Sequence, residues 1–255
     1  MEPGTRMSDA ASAIERGHSG LLRPESPAPS RRRFSCGIQS APYLADHGFQ
    51  DMVVLPGAYY VDLALRMERD LTQRTPAQIR NVAFHSPVIL GTEDAVIEVE
   101  AREHGDGRLI KYVFFEGNGD AARASDAAPK PVAELEIDRG APRPRQAVPG
   151  AESPDAFKAR PHTEIDAQHL YQALRRNGNQ YGPAFQNVRA IWQSGDQCLG
   201  RLSFVPPRDA THCLHPSLLD SVTQLLAPFA MEAGRTFILT SIGRIALAED
   251  ELPES

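Results

Sequence analysis

Cysteine is scarce and scattered. Cys36, Cys198 and Cys213 are the only three in 255 residues, and no two form a CxxC pair. That usage argues against a disulfide framework or a cysteine-based zinc site and fits a reducing compartment. Long apolar runs are missing as well: none approaches the ~20 residues of a membrane span. The opening stretch "MEPGTRMSDAASAIERGHSG" has no apolar core of the kind a secretory signal needs. The expected location is therefore the cytoplasm, with no membrane partner. A surplus of basic charge is also lacking. The net charge of −6 argues against nucleic acid or an anionic membrane as partner, because phosphate binding needs a basic patch.

What is present suits a globular protein that buries a core: 41% hydrophobic and 24% charged residues. Residues 1–33, ending in "SPAPSRRR", carry too little apolar material to offset chain entropy and are expected to be a disordered lead-in. "NVAFHSPVIL" (81–90), "AVIEVEAR" (95–102), "LIKYVFFE" (109–116) and "PVAELEID" (131–138) read as strands. In the second, Ala95, Ile97, Val99 and Ala101 alternate with a wetter face. "GNGDAARASDAAPK" (117–130) reads as a long loop. One long helix interrupts the strands from Pro56, with Tyr60, Leu63, Ala64, Met67 and Leu71 at helical spacing. Pro142, Pro144, Pro149 and Pro154 crowd 139–155, which marks an inter-domain linker at 141–158.

Beyond the linker the same order of elements returns. A helix at "AQHLYQALRRNG" precedes strands at "VRAIWQ" (188–193) and "CLGRLSFV" (198–205), and a second helix runs through "PSLLDSVTQLLA". Two subdomains, 34–140 and 159–255, are expected. In the last helix Leu218, Val222, Leu225, Leu226 and Phe229 form an apolar stripe, and Asp220 lies off it with Gln224 one turn on. Such a pair is either a solvated face or an aspartate held in one orientation by a glutamine. His47 heads the apolar run Met52-Val53-Val54-Leu55, which ends in Pro56-Gly57. This is either a loop histidine before a buried strand or a base aimed into an apolar tunnel. "GNQYGPAFQ" (178–186) is a tight turn with Phe185 placed to plug the core. His212, Cys213 and His215 cluster without a second ligand pair, so no metal site is expected. His85 is a weak candidate, and Trp192 reads as core.

Taken together, three segments resemble the dehydratase domains of polyketide synthases. "HGFQDMVVLP" nearly fits their HxxxGxxxxP signature, "GNQYGPAF" fits GxxYGPxF, and "HPSLLDSVTQ" looks like HPxxLDxxxQ, all in the family's order. The resemblance covers about residues 34–247. It implies an α+β double hot-dog fold, two subdomains each with an antiparallel sheet wrapped around a central helix. It further implies that His47 and Asp220 form a catalytic base–acid pair, and that Leu55, Pro56, Gly57, Tyr181, Gly182, Pro183 and Gln224 surround the substrate. The implied reaction removes water from a (3R)-hydroxyacyl thioester carried on the phosphopantetheine arm of an acyl carrier protein, with no metal or redox cofactor. Implied partners are the acyl carrier protein and other synthase domains, and a homodimer is a further expected assembly. A cyclase or isomerase using the same pair, and a non-catalytic acyl-binding or dimerisation domain, stay open as alternatives.

Two departures stand out. Asp51 occupies the signature glycine, and a perturbed rather than broken turn is expected there. Family members also continue for several strands past "TSIGRIAL" (240–247), so the second subdomain is expected to leave apolar surface and a sheet edge uncovered.

Overall fold

The computed structural model describes residues 29–104, 107–117, 129–143, 152–205, 211–232 and 238–247. Elements follow in the order β1 (Ser30–Cys36), β2 (His47–Phe49), β3 (Met52–Val53), α1 (Gly57–Thr72), β4 (Gln78–Phe84), β5 (Ala95–His104), β6 (Leu109–Gly117) and β7 (Pro131–Asp138). The second half holds α2 (Pro154–Lys158), β8 (Thr163–Asp166), α3 (Ala167–Arg176), β9 (Asn179–Tyr181), β10 (Val188–Ser194), β11 (Gln197–Leu202), α4 (Pro216–Gln224), α5 (Ala227–Glu232) and β12 (Ser241–Ala246).

The period-two patterns become a six-stranded sheet in the order β1-β5-β6-β7-β4-β12, every pair antiparallel. Its inward residues, among them Ile97, Tyr112, Phe114, Leu135 and Ile137, pack with Leu63, Leu65 and Met67 of α1 in one core. Every residue from Ala58 to Leu65 is buried, because α1 is covered by the sheet on one side and by the second half on the other. Leu71, expected in the stripe, is 44% exposed at the helix's last turn. There Gln73 turns left-handed (φ 57°) and ends the helix. The second half has a three-stranded antiparallel sheet, β11-β10-β8, with a smaller core of Leu170, Leu174, Val188, Ile191 and Ala227. Trp192 is buried, as expected, with the Lys158 ammonium 3.9 Å from its ring centroid. A third sheet, β3-β2-β9, couples the halves by pairing His47 with Tyr181 and Phe49 with Asn179.

Four sequence expectations need correction. Strand β1 begins at Ser30 and pairs Ser30–Cys36 with Ala101–Ala95, so order starts inside the expected lead-in. A strand tolerates the polar run Arg31-Arg32-Arg33 because these side chains meet Glu100, Asp70 and Glu98. The expected linker contains α2, whose Ser153 caps the Ala156 N–H and whose Phe157 is buried. Strand β12 joins β4 of the first sheet rather than closing the second, so the division at 159–255 does not describe the fold. Finally, the apolar stripe of α4 is not its inner face. Val222 is 49% and Leu226 48% exposed, whereas Ser217, Asp220, Ser221 and Gln224 face inward. Those polar groups are tolerated inside because each is bonded: Asn187 Nδ2 donates to Ser221 Oγ at 3.0 Å, and Ser221 Oγ donates to the Ser217 carbonyl at 2.6 Å. The expected loop at 117–130 lies mostly outside the described residues.

Candidate active site

A two-residue hairpin puts His47 in place. Strands β2 and β3 pair Gly48 with Val53 and Phe49 with Met52. Between them Gln50 and Asp51 both take left-handed backbone (φ 49° and 63°), as a tight hairpin turn of this length demands. Asp51 therefore keeps the turn that a glycine would make. Its backbone N–H donates to Gln180 Oε1 at 2.7 Å, and Gln180 Nε2 donates to Asp51 Oδ1 at 2.6 Å. That reciprocal pair ties the hairpin to β9 and offsets the left-handed strain.

The hairpin folds Val54 back over the histidine. His47 Nδ1 donates to the Val54 carbonyl at 2.8 Å. A carbonyl can only accept, so in the neutral ring Nε2 carries the lone pair. Nε2 points at Asp220 Oδ1, 3.7 Å away. That gap is too wide for a direct hydrogen bond and wide enough for a reacting group to engage both. The imidazole is walled by Phe185 and Tyr181, with ring centroids at 5.0 and 5.5 Å. Burial pulls its pKa down, but the nearby Asp220 carboxylate, with the Val54 carbonyl, outweighs that. The net direction is upward from 6.5.

Asp220 is held from the second half. Gln224 Nε2 donates to Asp220 Oδ2 at 2.9 Å and to the Phe185 carbonyl at 3.0 Å, while Gln224 Oε1 accepts from the Tyr171 hydroxyl at 3.0 Å. The Tyr171 oxygen in turn accepts the Val188 N–H at 3.0 Å. One carboxylate oxygen is thus fixed by this chain of bonds and the other is left facing His47.

The pair opens on a cavity of about 370 Å³, walled by apolar side chains such as Met52, Leu55, Phe84, Ile89 and Leu219. Gly57 also lines it and opens α1, where the first backbone N–H groups have no acceptor within the helix. A Cβ on Gly57 would come within 2.8 Å of the Phe84 ring, so the bare backbone is what keeps this end open.

Of the expected site residues, the structure gathers His47, Asp220, Leu55, Gly57 and Tyr181 on one cavity. The other four stand behind its wall. Pro56 is the N-cap of α1 (φ −65°, ψ 141°). Gly182 packs so tightly on Asp46 that a Cβ would clash, and its N–H donates to the Asp46 carbonyl at 2.7 Å. Pro183 starts the short turn Pro183–Phe185 that presents Phe185 to the histidine. Gln224 is not among the cavity's lining residues and donates to Asp220 from behind it. Sequence reading missed Tyr60, Asn179 and Thr223 and set His85 aside, yet all four line the cavity. Spacing carried part of that signal: Tyr60 is one turn beyond Gly57, Thr223 one turn beyond Asp220, and Asn179 two strand positions before Tyr181. His212 and His215 serve structure: His212 pairs with Asp62, and His215 Nδ1 accepts the Ser217 N–H to cap α4. Among the described residues no group of histidines, cysteines and carboxylates could hold a metal ion.

Comparison with known proteins settles the family. Residues 21–114 match the family model "Polyketide synthase dehydratase domain", and residues 149–255 match "Polyketide synthase dehydratase N-terminal domain". The chain belongs to the polyketide synthase dehydratase family. Polyketide synthase ThaG of Burkholderia thailandensis is 30% identical over 194 residues, which is 72% of this chain and 3% of that protein. The spectinabilin polyketide synthase system protein NorA of Streptomyces orinoci is 30% identical over 193 residues, 74% of this chain and 10% of that protein. The chain thus spans a small part of the curated relatives it matches, which are components of polyketide synthases. Among solved structures, the dehydratase domain from the CurF module of curacin polyketide synthase superposes with a TM-score of 0.73 at 18% identity, over 89% of this chain and 80% of that one. The fold is the double hot-dog of these dehydratases, a family of carbon–oxygen lyases.

Proposed function

We propose that this domain dehydrates a (3R)-hydroxyacyl thioester, presented on the phosphopantetheine arm of an acyl carrier protein, to the α,β-unsaturated thioester. The observation that carries the reading is His47 Nε2 facing Asp220 Oδ1 across 3.7 Å at the wall of a largely apolar cavity. With His47 neutral and the proton of the pair on Asp220, His47 Nε2 takes the C2 proton while Asp220 delivers its own proton to the C3 hydroxyl. The C2–H and C3–O bonds break, the C2=C3 bond forms, and water leaves. His47 then holds a proton that Asp220 lacks, and the short gap lets the pair reset. General acid–base steps of this kind contribute about 10²–10⁴-fold each. Negative charge builds on the thioester oxygen as C2 loses its proton. The free N–H of Gly57, at the positive end of α1, is the donor placed to receive it. Leu55 and Tyr181 shape the passage, and Gln224 keeps Asp220 aimed.

The reading calls for no metal or redox cofactor. It places the protein in the cytoplasm among other synthase domains, with the acyl carrier protein as transient partner and a homodimer as its assembly. Incubation with a (3R)-hydroxyacyl carrier thioester should remove the mass of one water from the acyl chain, read by mass spectrometry. An unchanged thioester after prolonged incubation with active-site-intact protein sinks the proposal.

A further inference from the structure

Tyr60 takes part in none of these steps. It sits on α1 one turn beyond Gly57, is 3% exposed, and lines the same cavity. Phe84 and Phe114 hold its ring, with centroids at 6.3 and 5.2 Å. Among the described residues its hydroxyl has no hydrogen-bond partner. Other tyrosines differ: the buried Tyr112 donates to Glu68 at 2.6 Å, and the half-buried Tyr171 and Tyr43 meet Gln224 at 3.0 Å and His212 at 3.1 Å. A buried hydroxyl without a partner costs stability, and phenylalanine would fill the same space without that cost. The hydroxyl therefore makes sense through something that enters the cavity. Asn179, which lines it from the other half of the molecule, has a buried side-chain Nδ2 with no partner among the described residues either. An amide NH₂ only donates, and a phenol can donate. Both residues line the cavity, and each brings one buried donor without a partner among the described residues.

The dehydration reading, on which this inference rests, already provides for two oxygens of the substrate. Asp220 meets the C3 hydroxyl and the Gly57 N–H meets the thioester oxygen. We infer that Tyr60 is a specificity-determining residue whose hydroxyl donates to an oxygen carried by the acyl chain beyond C3. The domain then selects chains bearing a hydroxyl, keto or ether oxygen over plain hydrocarbon chains of the same length. A site built to meet an oxygen discriminates strongly against the analogue that lacks it, because its buried donor is then left unpaired.

The test uses the full chain and (3R)-3-hydroxyacyl pantetheine thioesters of equal length, with or without an oxygen on C5 or C7. Wild type should favour one of the oxygenated chains by roughly tenfold or more in kcat/KM, and Tyr60→Phe should bring that ratio close to one. Loss of water from the hydrocarbon substrate reports on the dehydration reading separately from the ratio. If no thioester loses water, calorimetric affinities for the same set give the ratio in its place. Three results overturn the inference: no preference in wild type, the preference kept in Tyr60→Phe, or an equal fall for all substrates in that variant. The last would place the hydroxyl on the shared thioester portion. A preference lost in Asn179→Ala but kept in Tyr60→Phe would move the role to Asn179. Thermal unfolding adds a check without substrate. Tyr60→Phe should melt at or above the wild-type midpoint, and a clear fall would mean the hydroxyl already has a partner within the protein.

Discussion

Two histidine–aspartate pairs lie around α1, one of them using the helix's own Asp62, and they are built to opposite ends. In the first, Asp62 is fully buried and its carboxylate is saturated. One oxygen accepts the N–H groups of Cys213 and Leu214 at 2.7 and 3.1 Å, and the other meets His212 Nδ1 at 2.6 Å. Arg66 adds a guanidinium at 3.9 Å, and His212 Nε2 is engaged by the Tyr43 hydroxyl at 3.1 Å. In the second pair, Asp220 has one side-chain donor, Gln224, and its free oxygen stands 3.7 Å from His47 on an open cavity. The residue types are the same. What separates a structural pair from a chemical one is how many donors are fixed before any ligand arrives. The saturated pair also serves the open one. Asp62 binds the backbone just before α4, and so sets how far the helix carrying Asp220 stands from α1 and the hairpin carrying His47.

The contrast is broken most directly at the open pair. His47→Ala and Asp220→Asn should each cut dehydration by about 10²–10⁴-fold while the unfolding midpoint stays near wild type. Turnover above a tenth of wild type in either variant removes that residue from the pair.

The saturated pair should respond in the reverse sense. Asp62→Ala leaves His212 and two backbone N–H groups without their acceptor, and should cost about 3–5 kcal/mol of stability, measured from denaturant midpoints. A loss no greater than that of Asp220→Asn would erase the distinction drawn between the two carboxylates.

A finer test is pH. Asp220 raises the His47 pKa above 6.5 against the pull of burial, so Asp220→Asn should lower the His47 titration midpoint in NMR. Because the folded-state value is raised, the pair adds stability below about pH 6.5 and loses it as pH rises through the folded value. The stability gap between wild type and Asp220→Asn should therefore narrow as pH rises through that value. The Tyr181 phenol beside the ring is held well above 10 by burial and by the Asp220 charge, so it stays neutral through this window. An unmoved His47 midpoint would mean that Asp220 does not set its charge.

The smallest effect belongs to the hairpin. Asp51→Gly removes left-handed strain of order 1 kcal/mol and also one partner of Gln180. Stability should move by less than about 1 kcal/mol, and activity should hold or rise. A large fall in activity would give the Asp51 carboxylate a role of its own.

Much of this molecule was legible in its sequence. The alternation in residues 95–102 and 131–138 and the helical spacing after Pro56 specify local geometry, because a strand repeats every two residues and a helix every 3.6. The three motif segments carried the candidate pair, since His47 and Asp220 each sit within a short stretch that shapes its own surroundings. Other features depend on partners distant in sequence. Asp220 and Gln224 face inward while the apolar Val222 of the same helix faces out, because Tyr171, Phe185 and Asn187, 30 or more positions earlier, supply the hydrogen bonds that make a polar inner face tolerable. Strand β12 crosses back to β4 because its free edge is there, which no local pattern encodes. Asp51 can stand where glycine is expected because Gln180 lies across from it. The identity of the elements was written locally in the chain. Which polar groups are satisfied, and which remain open on a cavity, was decided only when distant segments met, because a hydrogen bond needs both partners in place.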